Sequence, residues 1–395
     1  MKTMQRRTLG ILVVVGLVLG VGGGLAWWFN GQAQMKPDTT ANRQTVVKPV
    51  KPQPKKKAKP RPKSTIKATA ATREIDAILR ANRFVGTALV VRSGKIIYEQ
   101  GMGYADATRH KTNGVNSVYQ LASVQKSLTA GLVMKLAAEN KLALTDPLAK
   151  YYPRIKGARR ITLRDMLDMK SGLRLVAFPD KLNSENGMLR FVQKNVISQP
   201  QNIGKWDYSP VNFMLLAGII QQVSGESYRQ YFTDNIIRPW HLNHTGFVFN
   251  MAHRRAYSQG YQNSDMADVA ATYNSRYPES RASMFYQFGT GQVYMSVHDL
   301  FVAERNMLQG KLYPASDVNT LLTPGSSSMY GGGAYVYPNY IRVHGLAYGY
   351  EATALVSKTG QDGVVLLSNY YRANQLSQTP AMQIWNLLSA GQLKS

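Results

Sequence analysis

From residue 73 onward two hydrophobic rhythms succeed each other along the chain. Residues 73–83 set Ile75, Ile78 and Leu79 at i, i+3, i+4 spacing, which predicts a helix with one apolar stripe. Residues 86–91 and 95–98 are short β-rich runs joined by Ser93-Gly94, a hairpin signal. From about residue 121 to 308 the period is mostly helical, broken at Ser171-Gly172, Ser209-Pro210 and Gly289-Thr290-Gly291. Strand patterns return at 333–337, 340–344, 351–358 and 363–368, and a helical pattern at 379–388 closes the chain. Strands at both ends with helices between them predict an α/β (α+β) domain. Its antiparallel sheet is built from the two termini, flanked by terminal helices, with a helical subdomain inserted.

The first 71 residues follow neither rhythm. Residues 9–28 are an almost unbroken apolar run preceded by Lys2, Arg6 and Arg7, about the ~20 residues a bilayer-crossing helix needs. The flanking charge predicts a cytoplasmic N-terminus, with Trp27 and Trp28 at the outer interface. Gly31-Gln32-Ala33 offers the alternative of a cleaved signal peptide. The run exceeds the ~7–15 residues of a signal core, so a retained anchor is favoured. Residues 34–71 carry eleven Lys/Arg, one acid and six Pro, a composition that cannot form a core and reads as a tether. The expected organisation is an anchor over 1–33, a tether over 34–71 and a folded domain over 72–395. The expected location is the cell membrane, single-pass, with the domain extracellular.

Composition narrows the chemistry. The 395 residues contain no Cys and six His, so thiol nucleophiles, disulfides and Cys-ligated metals are excluded. No His pair has the spacing of a helical zinc site, and no cofactor is expected. The net charge of +26 raises nucleic acid as a partner. About half of that excess sits in the tether and its flank, which argues against nucleic acid and for anionic headgroups or wall polymers.

Ser123-Val124-Gln125-Lys126 opens a strong helical pattern with Leu128, Leu132, Val133 and Leu136 on its apolar face. A serine and a lysine three residues on share a helix face, so the amine can reach the hydroxyl. The lysine can act as a base only if burial or positive neighbours lower its pKa. Alone, this spacing arises by chance in many chains. Here it is followed by Thr162-Leu163-Arg164-Asp165-Met166-Leu167, Met169-Lys170-Ser171-Gly172-Leu173, Tyr208-Ser209-Pro210-Val211-Asn212, Gly289-Thr290-Gly291-Gln292-Val293 and Val343-His344-Gly345. In that order and spacing, the chain resembles the beta-lactamase-related, penicillin-binding-protein-like serine hydrolases, in the class C and D-alanyl-D-alanine carboxypeptidase branch. The resemblance runs from about residue 84 to 385.

The resemblance implies the beta-lactamase/transpeptidase-like fold. It makes Ser123 the nucleophile, Lys126 its base and Tyr208 the hydroxyl that passes the proton to the leaving group. The Ser123 N–H, and one at Ala347 on the strand after His344, would form the oxyanion hole. His344, with Gly345 beside it, would face the substrate across the cleft. Lys358-Thr359-Gly360 spells the third motif literally, but only one strand pattern follows it before the last helix, so it is read as a hairpin turn. Two departures bear on substrate: Pro210 stands where the family has an amide-bearing Asn, and Leu346 where it has Gly. Both argue against N-acylated D-alanyl peptides and beta-lactams. They suit a donor with a free amine, and the chain is similar to wall-associated D-alanyl esterases of lactobacilli acting on lipoteichoic acid. The expected activity is D-alanyl ester hydrolysis on (lipo)teichoic acid in a Gram-positive wall. The alternatives are a D-alanyl-D-alanine carboxypeptidase acting on peptidoglycan stem peptides, a weak beta-lactamase, or a non-catalytic scaffold.

Overall fold

The computed structural model describes residues 68–263, 271–277, 279–374 and 376–393. Helix α1 (Ala70–Ala81) starts where Thr69 and Thr72 cap each other reciprocally and buries Ala71, Ile75 and Leu79. The chain then enters β1 (Gly86–Arg92) and turns into β2 (Lys95–Met102) through Ser93 (φ 48°) and Gly94 (φ 74°). Two left-handed residues in a two-residue loop match the right-handed twist of the flanking strands. β1 is buried along nearly its whole length because it is not an edge strand: the C-terminal strand Gly363–Ser368 lies on its other side.

The remaining strands are β3 (Tyr330–Gly331), β4 (Ala334–Val336), β5 (Tyr340–Ala347), β6 (Tyr350–Ser357) and β7 (Gly363–Ser368). The seven-stranded sheet runs β3-β4-β5-β6-β7-β1-β2, antiparallel throughout. One face is covered by α1 together with the last helix, Gln378–Ser389, whose Ile384, Trp385 and Leu388 share a core with Ile75, Leu79, Val90 and Leu366. The other face receives helix Val297–Leu308 and, behind it, α2 (Gln125–Ala138) and α3 (Val211–Ser224), which pack on each other. The sheet built from both ends, its terminal helices and the inserted helical part are as the hydrophobic pattern predicts.

Two features differ from that pattern. The middle of the chain also holds a small sheet in which Val293–Met295 pairs with both Tyr119–Gln120 and Gly246–Phe247. Strands of two or three residues are too short to show a period. The expected anchor over 1–33 and the tether up to residue 67 lie outside the described residues, and Ala70 and Ala71, assigned to the tether, open α1. Among the described residues no helix is long and apolar enough to cross a membrane. The assignment to a single-pass membrane location is therefore corrected: the described residues contain no span to carry it.

Candidate active site

Ser123 does not sit in the first turn of α2, as the helical pattern predicts, but in a 3-10 turn, Ala122–Val124, that leads into it. Ala122 has φ 47°. A left-handed non-glycine residue costs of order 1–3 kcal/mol and persists where the surroundings over-determine it. Here it bends the chain sharply out of Tyr119–Gln120 and leaves Ser123 partly accessible between two buried neighbours, Ala122 and Val124.

α2 is buried on nearly all sides, polar residues included. Each of these therefore needs a partner. Gln125 bonds to the Tyr228 hydroxyl (3.0 Å) and accepts from Val293 N–H (2.9 Å). Thr129 donates to Gly289 O (2.8 Å), and Ser127 to Glu304 Oε1 (2.5 Å). These bonds fix the rotation of the helix, and with it the direction of Lys126. Burial pushes the Glu304 carboxyl up to about 7, so the Ser127 contact joins two groups that are both neutral much of the time near neutral pH.

Lys126 is 1% exposed and its Nζ lies 2.8 Å from Ser123 Oγ. Among the described residues no carboxylate pairs with it, and desolvation alone pulls the ammonium down to about 7. The β3–β4 turn packs against the backbone of Lys126: a Cβ at Gly333 would lie 2.6 Å from Lys126 O, so only glycine lets this turn approach α2 so closely. A lysine that is substantially neutral at neutral pH, in contact with a hydroxyl, can accept its proton.

Tyr208 completes the group. Burial pushes its phenol up to about 12, with the neighbouring Ser123 side chain offsetting this only in part, so it stays protonated at neutral pH. Its ring faces Lys126 Nζ at 5.2 Å from the centroid and meets Tyr330 edge-on at 6.0 Å. The loop carrying it is pinned by Asp207 N–H to Met169 O (2.7 Å) and by the Arg174–Asp207 ion pair. Pro210 follows as the cap residue of α3. The nearby Asn212 does not replace the missing amide, because it is fully buried and bonded to Ser171 and to Ser209 O.

The β5 strand brings Gly345 against the nucleophile: a Cβ there would lie 2.2 Å from Leu121 O and 2.7 Å from Ser123 N. Both obstacles are backbone, so Gly345→Ala must push the strand and the Ser123 turn apart. We expect that variant to lose about 1–3 kcal/mol of stability and most of its turnover, measured by thermal unfolding and steady-state kinetics. Normal activity would show that this close approach is dispensable.

Alternation along β5 corrects two sequence expectations. Side chains alternate faces, so His344 projects away from the face on which Gly345 meets Ser123. Its Nε2 lies 3.0 Å from Glu351 Oε1, and the Glu351 carboxylate accepts Ser377 N–H at the start of the last helix (2.9 and 3.0 Å). His344 therefore does not stand across the cleft from Lys126; the buried Val343 occupies that face. Backbone groups alternate edges in the same way. Tyr337 N–H donates to Tyr340 O (2.9 Å), so Arg342, His344 and Leu346 share the edge facing β4, which pairs only as far as Arg342. Ala347 is out of phase and flanks the two-residue turn Tyr348-Gly349 (φ 50° and 80°), opposite Tyr350. Its N–H is spent on the hairpin, and the open-edge N–H nearest Ser123 beyond Gly345 belongs to Leu346.

Lys358 is exposed in the turn between β6 and β7, which is the strand order that argued against a role for it. Sequence reasoning missed Glu351. The signal was present: a lone acid at the start of the otherwise neutral strand Tyr350–Ser357.

A partly accessible, lysine-contacted serine between a two-ended sheet and a helical insert defines a class. The chain matches the family described as Beta-lactamase over residues 68–388, and it belongs to that family of serine hydrolases. Among its relatives is the Bacillus subtilis (strain 168) protein named "Putative penicillin-binding protein PbpX", 31% identical over 325 residues, 82% of this chain and 80% of the relative. The "Teichoic acid D-alanine hydrolase" of Staphylococcus aureus (strain MRSA252) is 28% identical over 283 residues, 70% of this chain and 68% of the relative. The crystal structure of FmtA from Staphylococcus aureus superposes with a TM-score of 0.70 at 25% identity, covering 82% of this chain and 89% of that one.

Proposed function

We propose that the chain hydrolyses D-alanyl esters of cell-wall (lipo)teichoic acid through a D-alanyl-enzyme on Ser123. The observation that carries the reaction type is the Ser123–Lys126 contact, with a lysine whose burial makes it a base near neutral pH. Neutral Lys126 takes the Ser123 proton as Oγ attacks the ester carbonyl carbon. Charge developing on the carbonyl oxygen is met by the N–H groups of Ser123 and Leu346. The tetrahedral species collapses, the C–O bond to the polymer breaks, and Tyr208 hands a proton to the departing alkoxide. The proton held by Lys126 replenishes Tyr208. Water then adds to the acyl carbon with Lys126 as base, releasing D-alanine and free Ser123.

The choice of a D-alanyl ester over a peptide rests on two supports. Pro210 cannot donate or accept through an amide where an N-acyl group would need one, and a relative named for D-alanine removal from teichoic acid aligns over most of the domain. The relative named as a penicillin-binding protein supports carboxypeptidase action as the second reading. The two part in one assay: the purified domain is given D-alanylated lipoteichoic acid or, separately, muropeptides with pentapeptide stems, and free D-alanine is measured. Release from the polymer alone is expected. Release from the muropeptides alone would put the carboxypeptidase reading in its place.

A further inference from the structure

Beside the nucleophile turn lies a carboxylate with no role in the chemistry above. Glu279 is partly accessible, and its Oε1 accepts from Gln287 Nε2 (3.1 Å) and more weakly from Gln120 Nε2 (3.4 Å). Gln120 stands three residues before Ser123 and also donates to Gly291 O (3.0 Å). Gly291 in turn lies against the strained residue, with a built Cβ 3.2 Å from Ala122 Cα. Glu279 is thus tied to the same scaffold that bends the chain into Ser123. On its other side the Tyr277 ring meets that of Tyr348 edge-on at 5.5 Å, and Tyr348 is the first residue of the turn that ends β5. The turn that ends β5 thus packs against Tyr277, two residues before this acid.

The surroundings suit a cation that the protein does not supply. Among the described residues no Lys, Arg or His forms an ion pair with Glu279. The nearest arginines in sequence are committed elsewhere: Arg276 to Thr108 (2.5 Å) and Asp106 (3.7 Å), and Arg281 to the Phe285 face (5.9 Å). Desolvation lifts the Glu279 carboxyl to about 8, as expected where no positive charge balances it. The hydroxyls of Tyr257, Tyr277 and Tyr350 are raised chiefly by their own burial, and the nearby Glu279 carboxyl adds to it when ionised. Gln120, 1% exposed, has its Oε1 buried without a hydrogen-bond partner among the described residues, a second unused acceptor. A carboxylate, a spare amide oxygen and tyrosine rings make the environment that binds an ammonium group.

We propose that Glu279 receives the free α-ammonium of the D-alanyl group during its transfer to Ser123, so that the site selects D-aminoacyl esters and rejects N-acylated ones. This deepens the ester-hydrolase reading and rests on it. It also supplies what the loss of an amide at Pro210 leaves open: the acyl group is held by its charge rather than by an acylamino carbonyl.

The test compares D-alanine methyl ester with N-acetyl-D-alanine methyl ester on the wild-type enzyme and on Glu279→Gln. Losing a charge-assisted contact should lower kcat/KM for the free-amine ester about 30- to 100-fold, chiefly through KM, and leave the N-acetyl ester within about threefold. Equal losses on both esters, or none on either, would overturn the assignment. Should Glu279→Gln fail to fold, the wild-type enzyme carries the test alone. 1-Aminoethylboronic acid should inhibit it at least about tenfold better than its N-acetyl derivative, and equal inhibition would overturn the assignment. A wild-type enzyme that cleaves only N-acylated D-alanyl peptides would instead remove the ester reading itself.

Discussion

Ser123→Ala should lower kcat on a D-alanyl ester by a factor of about 10^4 or more, while thermal unfolding stays within a few degrees of the wild type. The effect is large because the rest of the group has nothing else to attack with: Lys126 Nζ contacts this one oxygen at 2.8 Å, and the Tyr208 ring packs on the same amine. Stability should hardly change, since Ser123 is only partly buried and Lys126 is already carried as a largely neutral group. Steady-state kinetics and a melting curve on the same preparation check both halves. Retained turnover would mean that another side chain is the nucleophile.

Lys126 should show the second large effect, and in opposite directions for activity and stability. With the lysine lowered to about 7 by burial, kcat/KM should rise with pH through that value as the ammonium loses its proton, then level off. Lys126→Met should abolish this limb and cost about 10^3- to 10^4-fold in turnover. The same burial makes the ammonium costly to the fold. Its folded value lies below the unfolded 10.5, so its contribution improves as pH rises from about 7 to 10.5 and is least favourable below 7. Lys126→Met, which keeps the length and removes the charge, should therefore raise stability at pH 6 by an amount on the order of a few kcal/mol, and the gain should fade toward pH 10. Denaturant unfolding across pH measures it. A variant less stable than wild type at pH 6 would show that Lys126 has an anionic partner.

The outline of the fold was legible because its strands and terminal helices are long enough to show a period. The predicted 363–368 strand is Gly363–Ser368, and the predicted 379–388 helix is Gln378–Ser389. The serine and lysine were legible because a three-residue spacing makes them meet, here across the 3-10 turn that leads into α2. Other features lay outside that reach. The left-handed Ala122 has no composition signal, since alanine is not a residue that predicts positive φ. His344 and Ala347 were placed on the correct strand in the wrong phase, and a shift of one residue exchanges both faces and edges. The hairpin turn Tyr348-Gly349 fixes that phase, and with tyrosine at its first position it lacks the usual Asn-Gly signature. Glu351 was visible as a lone acid on its strand, but its partner Ser377 lies 26 residues on, and Glu279 depends on the distant Gln120 with no local pattern to reveal it.

The central claim is that Ser123 carries the acyl group from a D-alanyl ester, and trapping that intermediate tests it most directly. The enzyme is mixed with D-alanine methyl ester, quenched in acid within the first turnovers and digested, and the peptides are read by mass spectrometry. The account predicts a gain of one alanyl residue on the peptide holding Ser123, located on that side chain and absent from Ser123→Ala. Turnover of the ester with the alanyl group on another residue, or a quenched enzyme that never carries it while Ser123→Ala hydrolyses the ester at the wild-type rate, would contradict the account.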